Sequence, residues 1–147
     1  SDLAFLPAHE LARRLRRGEL SALELLDHYL GRIGRIGGPI NAVVVLDADR
    51  ARQRARAADA VLARGEIWGP LHGLPITVKE SFNVAGLPTT YGFATHARNI
   101  ATSDALLVQR LQAAGAVLFG KTALASSRSE GHIVISQLAF FAASAFC

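Results

Sequence analysis

Three short runs rich in β-branched and apolar residues alternate with longer helical patterns, and this alternation most constrains the fold. The runs are NAVVVL at 41–46, ITVK at 76–79 and AVLFG at 116–120. Each is too short to form a convincing helix, and its composition is typical of buried strands. Strands that alternate with helices of this length favour a mainly parallel sheet covered by helices. The sequence therefore predicts an α/β fold.

An N-terminal helical hairpin is predicted before the first strand. The segment PAHELARRLRRG starts with Pro7 in a favourable first-turn position and ends at Gly18. A second helix begins at SALE, where Ser21 and Glu24 have the spacing of a capping box. Its apolar stripe stops at the GGP of residues 37–39. These two segments should pack against each other ahead of the sheet.

Two further helices are predicted between the strands. ADRARQRARAADAVLARG places alanines and Leu62 on one face and ends at Gly65. SDALLVQRLQAAG has Ser103 as its expected N-cap, Leu107 on its apolar face and Gly115 as its stop. A helix between the second and third strands is the crossover that a parallel pair requires.

Composition and charge exclude several classes of protein. The chain has 147 residues, of which half are hydrophobic and 19% are charged, so we expect one domain with a sizeable core. Its net charge of +4 comes from 16 basic and 12 acidic residues that are interleaved. Nucleic-acid binding is therefore not expected, since a phosphate backbone is usually met by a concentrated basic stripe.

The rare residue types argue against a metal site and suit a reducing compartment. The only cysteine is Cys147, so no internal disulfide can form, and the five histidines have no metal-binding spacing. No secretory signal is visible at the N-terminus, and no run reaches the roughly 18 to 20 apolar residues that span a membrane. We expect a cytoplasmic protein without a metal site or a membrane segment.

The pattern of strands and helices ends at Thr122. The remainder, ALASSRSEGHIVISQLAFFAASAFC at 123–147, is apolar and carries only Arg128 and Glu130 as charged groups. We therefore divide the chain into an α/β portion at 1–122 and an atypical apolar tail at 123–147, whose structure the pattern does not predict. An altered or truncated C-terminus, for example from a shifted reading frame, is one hypothesis for this change.

Lys79 is the candidate catalytic residue. It ends the second predicted strand, on the side of a parallel sheet where ligands usually bind, and it shares a face with Thr77. Burial disfavours the charged form of an amine, and a desolvated lysine can act as a general base. Pairing with the adjacent Glu80, or extension past the strand end into solvent, is the structural alternative. The local sequence leaves both open.

The segments GPLHGLPITVKESFNVAGLPTT and SDALLVQRLQAAGAVLFGKT together resemble the amidase signature family of serine hydrolases. The resemblance runs from about Leu3 to Thr122 and implies an amidase-like fold. It implies that Lys79 belongs to a Lys, cis-Ser, Ser triad that hydrolyses a small-molecule carboxamide to a carboxylate and ammonia or an amine, with no cofactor.

The two serines implied by that resemblance are not found in this chain. They belong to segments of the form GGSSGGS and GGS, which do not occur in the 147 residues. Ser126, Ser127 and Ser129 lie in ASSRSEG without the accompanying glycines, so no catalytic role is assigned to them. GKT at 120–122 ends the run GAVLFGKT, but AVLF is predicted to be a strand, whereas a phosphate-binding loop follows a strand and opens a helix, so no phosphate site is assigned. We expect an incomplete fold and no appreciable activity from this chain alone.

A non-catalytic function is the alternative. An incomplete sheet leaves an unpaired edge and an uncovered apolar face, both of which favour association. A truncated amidase-like domain of this kind would form a homo-oligomer, or bind a partner, through that edge or through the apolar tail.

Overall fold

Helices and a small sheet form a layered α/β structure in the computed structural model, which describes residues 2–124. The helices are α1 (Ala8–Arg16), α2 (Ala22–Ile40), α3 (Ala48–Ala63) and α4 (Leu106–Ala113). The strands are β1 (Val43–Leu46), β2 (Pro75–Lys79) and β3 (Val117–Thr122). The residues of the predicted tail beyond 124, including Ser126, Ser127 and Ser129, lie outside the described residues, so the proposed division at Thr122 stays a prediction.

The sheet is mixed, so the prediction of a mainly parallel sheet holds only in part. Its strand order is β1-β3-β2, with β2 parallel to β3 and β1 antiparallel to β3. Helix α4 makes the crossover between the parallel strands, as expected. An antiparallel edge strand on an otherwise parallel sheet is a common arrangement, because an edge strand has one neighbour and need not be covered on both faces.

Strand β1 is half-exposed, although the sequence predicted a buried strand. Val44 and Leu46 are 41% and 47% exposed, while the alternating residues Val43 and Val45 are partly buried. A glycine in β3 allows β1 to approach closely, since a Cβ on Gly120 would lie 2.6 Å from the carbonyl oxygen of Val45. The close approach allows β1 and β3 to pair through backbone hydrogen bonds, although β1 buries little apolar surface.

The capping box of α2 is confirmed. The backbone N–H of Glu24 donates to Ser21 Oγ, and the Glu24 carboxylate accepts from the backbone N–H of Ser21. The helix continues past the predicted stop and ends only at Ile40, followed by Asn41 with a φ of 47°. Continuation through Pro39 is tolerated because the preceding residue is glycine, whose missing Cβ relieves the usual clash with the proline ring.

The main core lies between the first three helices and the sheet. It contains Leu25 and Leu26 of α2, alanines of α3, and Val117 and Phe119 of β3, all essentially inaccessible to solvent. The alanines allow α3 to lie close to α2. Helix α3 also buries Val61 at this face, whereas the sequence pattern had indicated Leu62.

Helix α4 begins later than predicted. It starts at Leu106, with Ala105 as its N-cap, so Ser103 is not the cap. The Asp104 carboxylate instead accepts a hydrogen bond of 2.7 Å from the backbone N–H of Ala85. The buried residue of α4 is Val108, which packs with Val78 and Val84 in a second, smaller apolar cluster on the β2 side.

Candidate active site

Lys79 occupies the last position of β2, at the carboxyl end of the parallel strand pair. Its register partner is Thr122, the last residue of β3, and the two strands run in the same direction. The pair is extended by one more hydrogen bond, from the backbone N–H of Glu80 to the carbonyl oxygen of Thr122, at 2.9 Å. The side chain of Lys79 is partly exposed beside two buried threonines, Thr77 and Thr122.

Lys79 does not pair with Glu80, which was the structural alternative raised by the sequence. The Glu80 carboxylate is buried and accepts hydrogen bonds from the backbone N–H groups of Thr90 and Tyr91, the latter at 3.0 Å. Among residues 2–124, no carboxylate forms an ion pair with the Lys79 amine. Within the described segment, the Lys79 amine is thus not engaged by a carboxylate.

A second lysine near the same strand ends was missed by sequence reasoning. Lys121 precedes Thr122 in β3, is 0% exposed, and donates hydrogen bonds to the carbonyl oxygen of Pro88 and to Thr89 Oγ1, the latter at 2.9 Å. Burial lowers the pKa of the Lys121 amine, and the negative charge of Glu80 opposes that shift. The signal was its rarity: Lys79 and Lys121 are the two lysines of the sequence.

The loop between β2 and α4 covers this end of the sheet. The backbone N–H of Thr89 donates to the carbonyl oxygen of Asn99 at 2.9 Å, and the side-chain amide of Asn99 donates to the carbonyl oxygen of Thr89 at 2.8 Å. An isolated antiparallel bridge joins Pro88 to Ile100. The loop residues beside Glu80 and Lys121 are thus held by hydrogen bonds on several sides.

The histidines of the described segment do not form a metal centre. His72 is buried, its Nδ1 accepts from the backbone N–H of Trp68 at 3.1 Å, and its Nε2 lies 3.1 Å from the carbonyl oxygen of Ala58. No group of three or more histidine, cysteine or carboxylate side chains within residues 2–124 is arranged to hold a metal ion. The GKT residues at 120–122 belong to β3.

A helix able to cross a membrane is not found among residues 2–124. Lys79 and Thr122 lie at the carboxyl end of the parallel strand pair, the edge at which ligands bind in open α/β sheets. Comparison with known proteins identifies the family.

The model of the Amidase family matches residues 24–130. The chain belongs to the Amidase family. Among similar sequences, AmiB2 of Mycobacterium tuberculosis is 49% identical over 122 residues, 83% of this chain and 26% of that protein. The amidase of Pseudomonas putida is 42% identical over 122 residues, again 83% of this chain and 26% of the relative.

Solved structures of amidases share the fold of this chain. The native peptide amidase of Stenotrophomonas maltophilia is 37% identical, with a TM-score of 0.75 over 82% of this chain and 25% of its own. Fatty acid amide hydrolase is 30% identical, with a TM-score of 0.77 over 84% of this chain and 22% of its own. The chain thus spans about a quarter of the length of the relatives it matches.

Proposed function

We propose that this chain supplies the catalytic base of an amidase-family hydrolase, and that the base is the amine of Lys79. The observation that carries the proposal is the position of that amine. It lies at the carboxyl end of a parallel strand pair, and the adjacent Glu80 carboxylate is engaged by the backbone of the covering loop. Membership of the Amidase family supports amide hydrolysis as the reaction class.

The proposed chemistry is acyl transfer to a serine. The neutral Lys79 amine takes a proton through a bridging serine, and the second serine attacks the carbonyl carbon of a small-molecule amide. Backbone N–H groups stabilise the negative charge that develops on the carbonyl oxygen. Ammonia or an amine leaves, and water then releases the carboxylate. The serine-bearing motifs of this scheme do not occur in the 147 residues, so the chain contributes the base and requires the serines from additional sequence.

The test is a hybrid enzyme. In the amidase of Pseudomonas putida, the segment that aligns with this chain is replaced by this chain's own residues, and ammonia release from simple amides is measured. The hybrid should be active, and Lys79→Ala should lower its kcat by about 10² to 10⁴, the usual contribution of general base catalysis. Arg56→Met, on the exposed face of α3, is the matched control and should leave kcat unchanged.

Two outcomes would overturn the proposal. Full activity of the Lys79→Ala hybrid would show that another group is the base. Amide hydrolysis by the purified 147-residue chain, lost on Lys79→Ala, would refute the claim that the nucleophile lies outside it.

A second candidate function is self-association, and the exposed side chains of β1 favour it. Val44 and Leu46 lie on an edge strand of the described sheet, and Ile40 at the end of α2 is 67% exposed nearby in sequence. Two copies of such an edge can pair with each other. Light scattering of the purified chain tests this: a dimer that Leu46→Lys converts to a monomer supports it, and a wild-type monomer at all concentrations excludes it.

A further inference from the structure

Lys121 and Glu80 both form hydrogen bonds to the same four-residue loop. Lys121 binds the carbonyl oxygen of Pro88 and the hydroxyl of Thr89, and Glu80 binds the next two backbone N–H groups, those of Thr90 and Tyr91. We call Glu80, Lys121 and the loop 88–91 the loop clamp. Thr89, at its centre, is 0% exposed.

The residues of the loop clamp are suited to fixing the position of the loop backbone rather than to adding stability. Glu80 is 3% exposed and Lys121 is 0% exposed, and burying a charge is costly unless hydrogen bonds and an opposite charge compensate it. Apolar side chains of similar volume would avoid that cost. The clamp also holds Tyr91 at a φ of 53°, a left-handed backbone conformation that is unfavourable for a bulky residue.

Both charged residues of the clamp lie close to the proposed base, one in the chain and one in the neighbouring strand. Glu80 follows Lys79 in the chain, and Lys121 precedes Thr122, the register partner of Lys79. Lys121 itself is paired with Val78, and neighbouring residues of a strand point to opposite faces. The ammonium of Lys121 therefore lies on the face opposite to the Lys79 amine, where it donates hydrogen bonds to Pro88 and Thr89.

We propose that Lys121 is a positioning residue for amide hydrolysis: with Glu80 it fixes the loop 88–91 and the ends of β2 and β3, and so orients Lys79 toward its partners. This role rests on the proposed function of Lys79. A misplacement of about 1 Å in a catalytic group is enough to cost up to roughly 100-fold in rate.

The first arm of the test uses the full 147-residue chain and needs no activity. Amide hydrogen exchange is followed in wild type, Lys121→Met and the charge-balanced double variant Glu80→Gln/Lys121→Met. In Lys121→Met, the protection of the Thr90 and Tyr91 amides should fall about 10-fold or more, as in a local opening, while amides of α2 and α3 keep theirs. Unchanged protection at both loop amides would overturn the clamp.

The second arm measures kcat and KM separately in the hybrid enzyme. Lys121→Met should lower kcat about 10- to 100-fold and change KM less than about threefold, since the clamp acts on a catalytic group and not on substrate binding. The double variant removes both buried charges and should recover thermal stability, yet its kcat should stay low. Recovery of kcat together with stability would show a merely structural role and contradict the proposal.

The two arms keep failure of this inference apart from failure of the proposed function. If Lys79→Ala leaves the hybrid active, the base assignment is wrong, and the exchange data still decide whether the clamp exists. If Lys79→Ala is inactive but Lys121→Met has wild-type kcat, the base stands and Lys121 is not a positioning residue. Arg56→Met serves as the matched loss of a cation and should change neither readout.

Discussion

Two regions of this small structure are stabilised by opposite means. The helical side, formed by α1, α2 and α3 against the sheet, excludes water with leucines, alanines and Phe119. The loop-covered end of β2 and β3 instead buries a carboxylate and an ammonium and satisfies them with backbone groups. Apolar packing supplies most of the stability, whereas buried hydrogen-bonded charges hold particular backbone groups in place at a cost in stability. The proposed base lies in the second region.

Truncation of one buried side chain in the main core should give the largest loss of stability. Leu26 is 0% exposed in the main core, so Leu26→Ala should lower the free energy of unfolding by about 2 to 5 kcal/mol. Urea denaturation measures this value. Leu107→Ala is the control at a position that is 39% exposed, and a loss there as large as that of Leu26→Ala would contradict the assignment of the core.

Removal of the clamp carboxylate should cost less and act locally. Glu80→Ala leaves two backbone N–H groups without their acceptor and removes the charge facing Lys121, at a cost of about 1 to 3 kcal/mol. Hydrogen exchange should show increased opening at Thr90 and Tyr91 before any change in α2. Uniform loss of protection across the chain would mean that the two regions do not differ as described.

The N-cap of α2 provides a smaller and sharper comparison. Ser21→Ala removes a side-chain acceptor from the backbone N–H of Glu24 and should cost about 1 kcal/mol in urea denaturation. Ser103→Ala is the matched control, because the sequence predicts a cap there and α4 instead begins after Ala105. Equal losses at the two serines would refute the observed start of α4.

Protonation of His72 should produce the smallest effect, which appears as a slope in a plot of the free energy of unfolding against pH. Burial lowers the pKa of His72 below 6.5, so the unfolded state binds more protons as the pH falls below that value. Stability should be intact above about pH 6.5 and should decline below it, by at most about 1.4 kcal/mol per pH unit from one group. His72→Gln should reduce this slope, while His96→Gln at an exposed site should not. Equal slopes in all three proteins would remove His72 as the cause.

The parts of the fold that follow from local chemistry were predictable. The capping box at Ser21, the helix stop at Gly115 and the strand ending at Lys79 each depend on a few adjacent residues, and the structure has all three. The predicted start of α4, with Ser103 as its N-cap, was wrong. The Asp104 carboxylate accepts a hydrogen bond from the backbone of Ala85, and the sequence near α4 does not reveal this distant contact. The antiparallel direction of β1 did not follow from the local pattern, since its partner β3 comes more than 70 residues later.

The candidate site was predictable only in part. The position of Lys79 at a strand end followed from the sequence pattern, whereas its separation from Glu80 depends on where the loop 88–91 lies. Lys121 was missed because GKT was considered only as a phosphate-binding motif. A lysine inside an apolar run, in a chain with one other lysine, was the available signal.

Restoration of the amine at position 79 tests the central claim most directly. In the hybrid enzyme, Lys79→Cys should be inactive, and treatment with 2-bromoethylamine should rebuild a lysine-like amine on the cysteine sulfur. Lys79→Ala treated in the same way controls for modification elsewhere, and iodoacetamide controls for the added bulk. We predict that only aminoethylated Lys79→Cys regains amide hydrolysis. Recovery in the Lys79→Ala control, or activity of untreated Lys79→Cys equal to that of the unsubstituted hybrid, would contradict the role of Lys79 as the base.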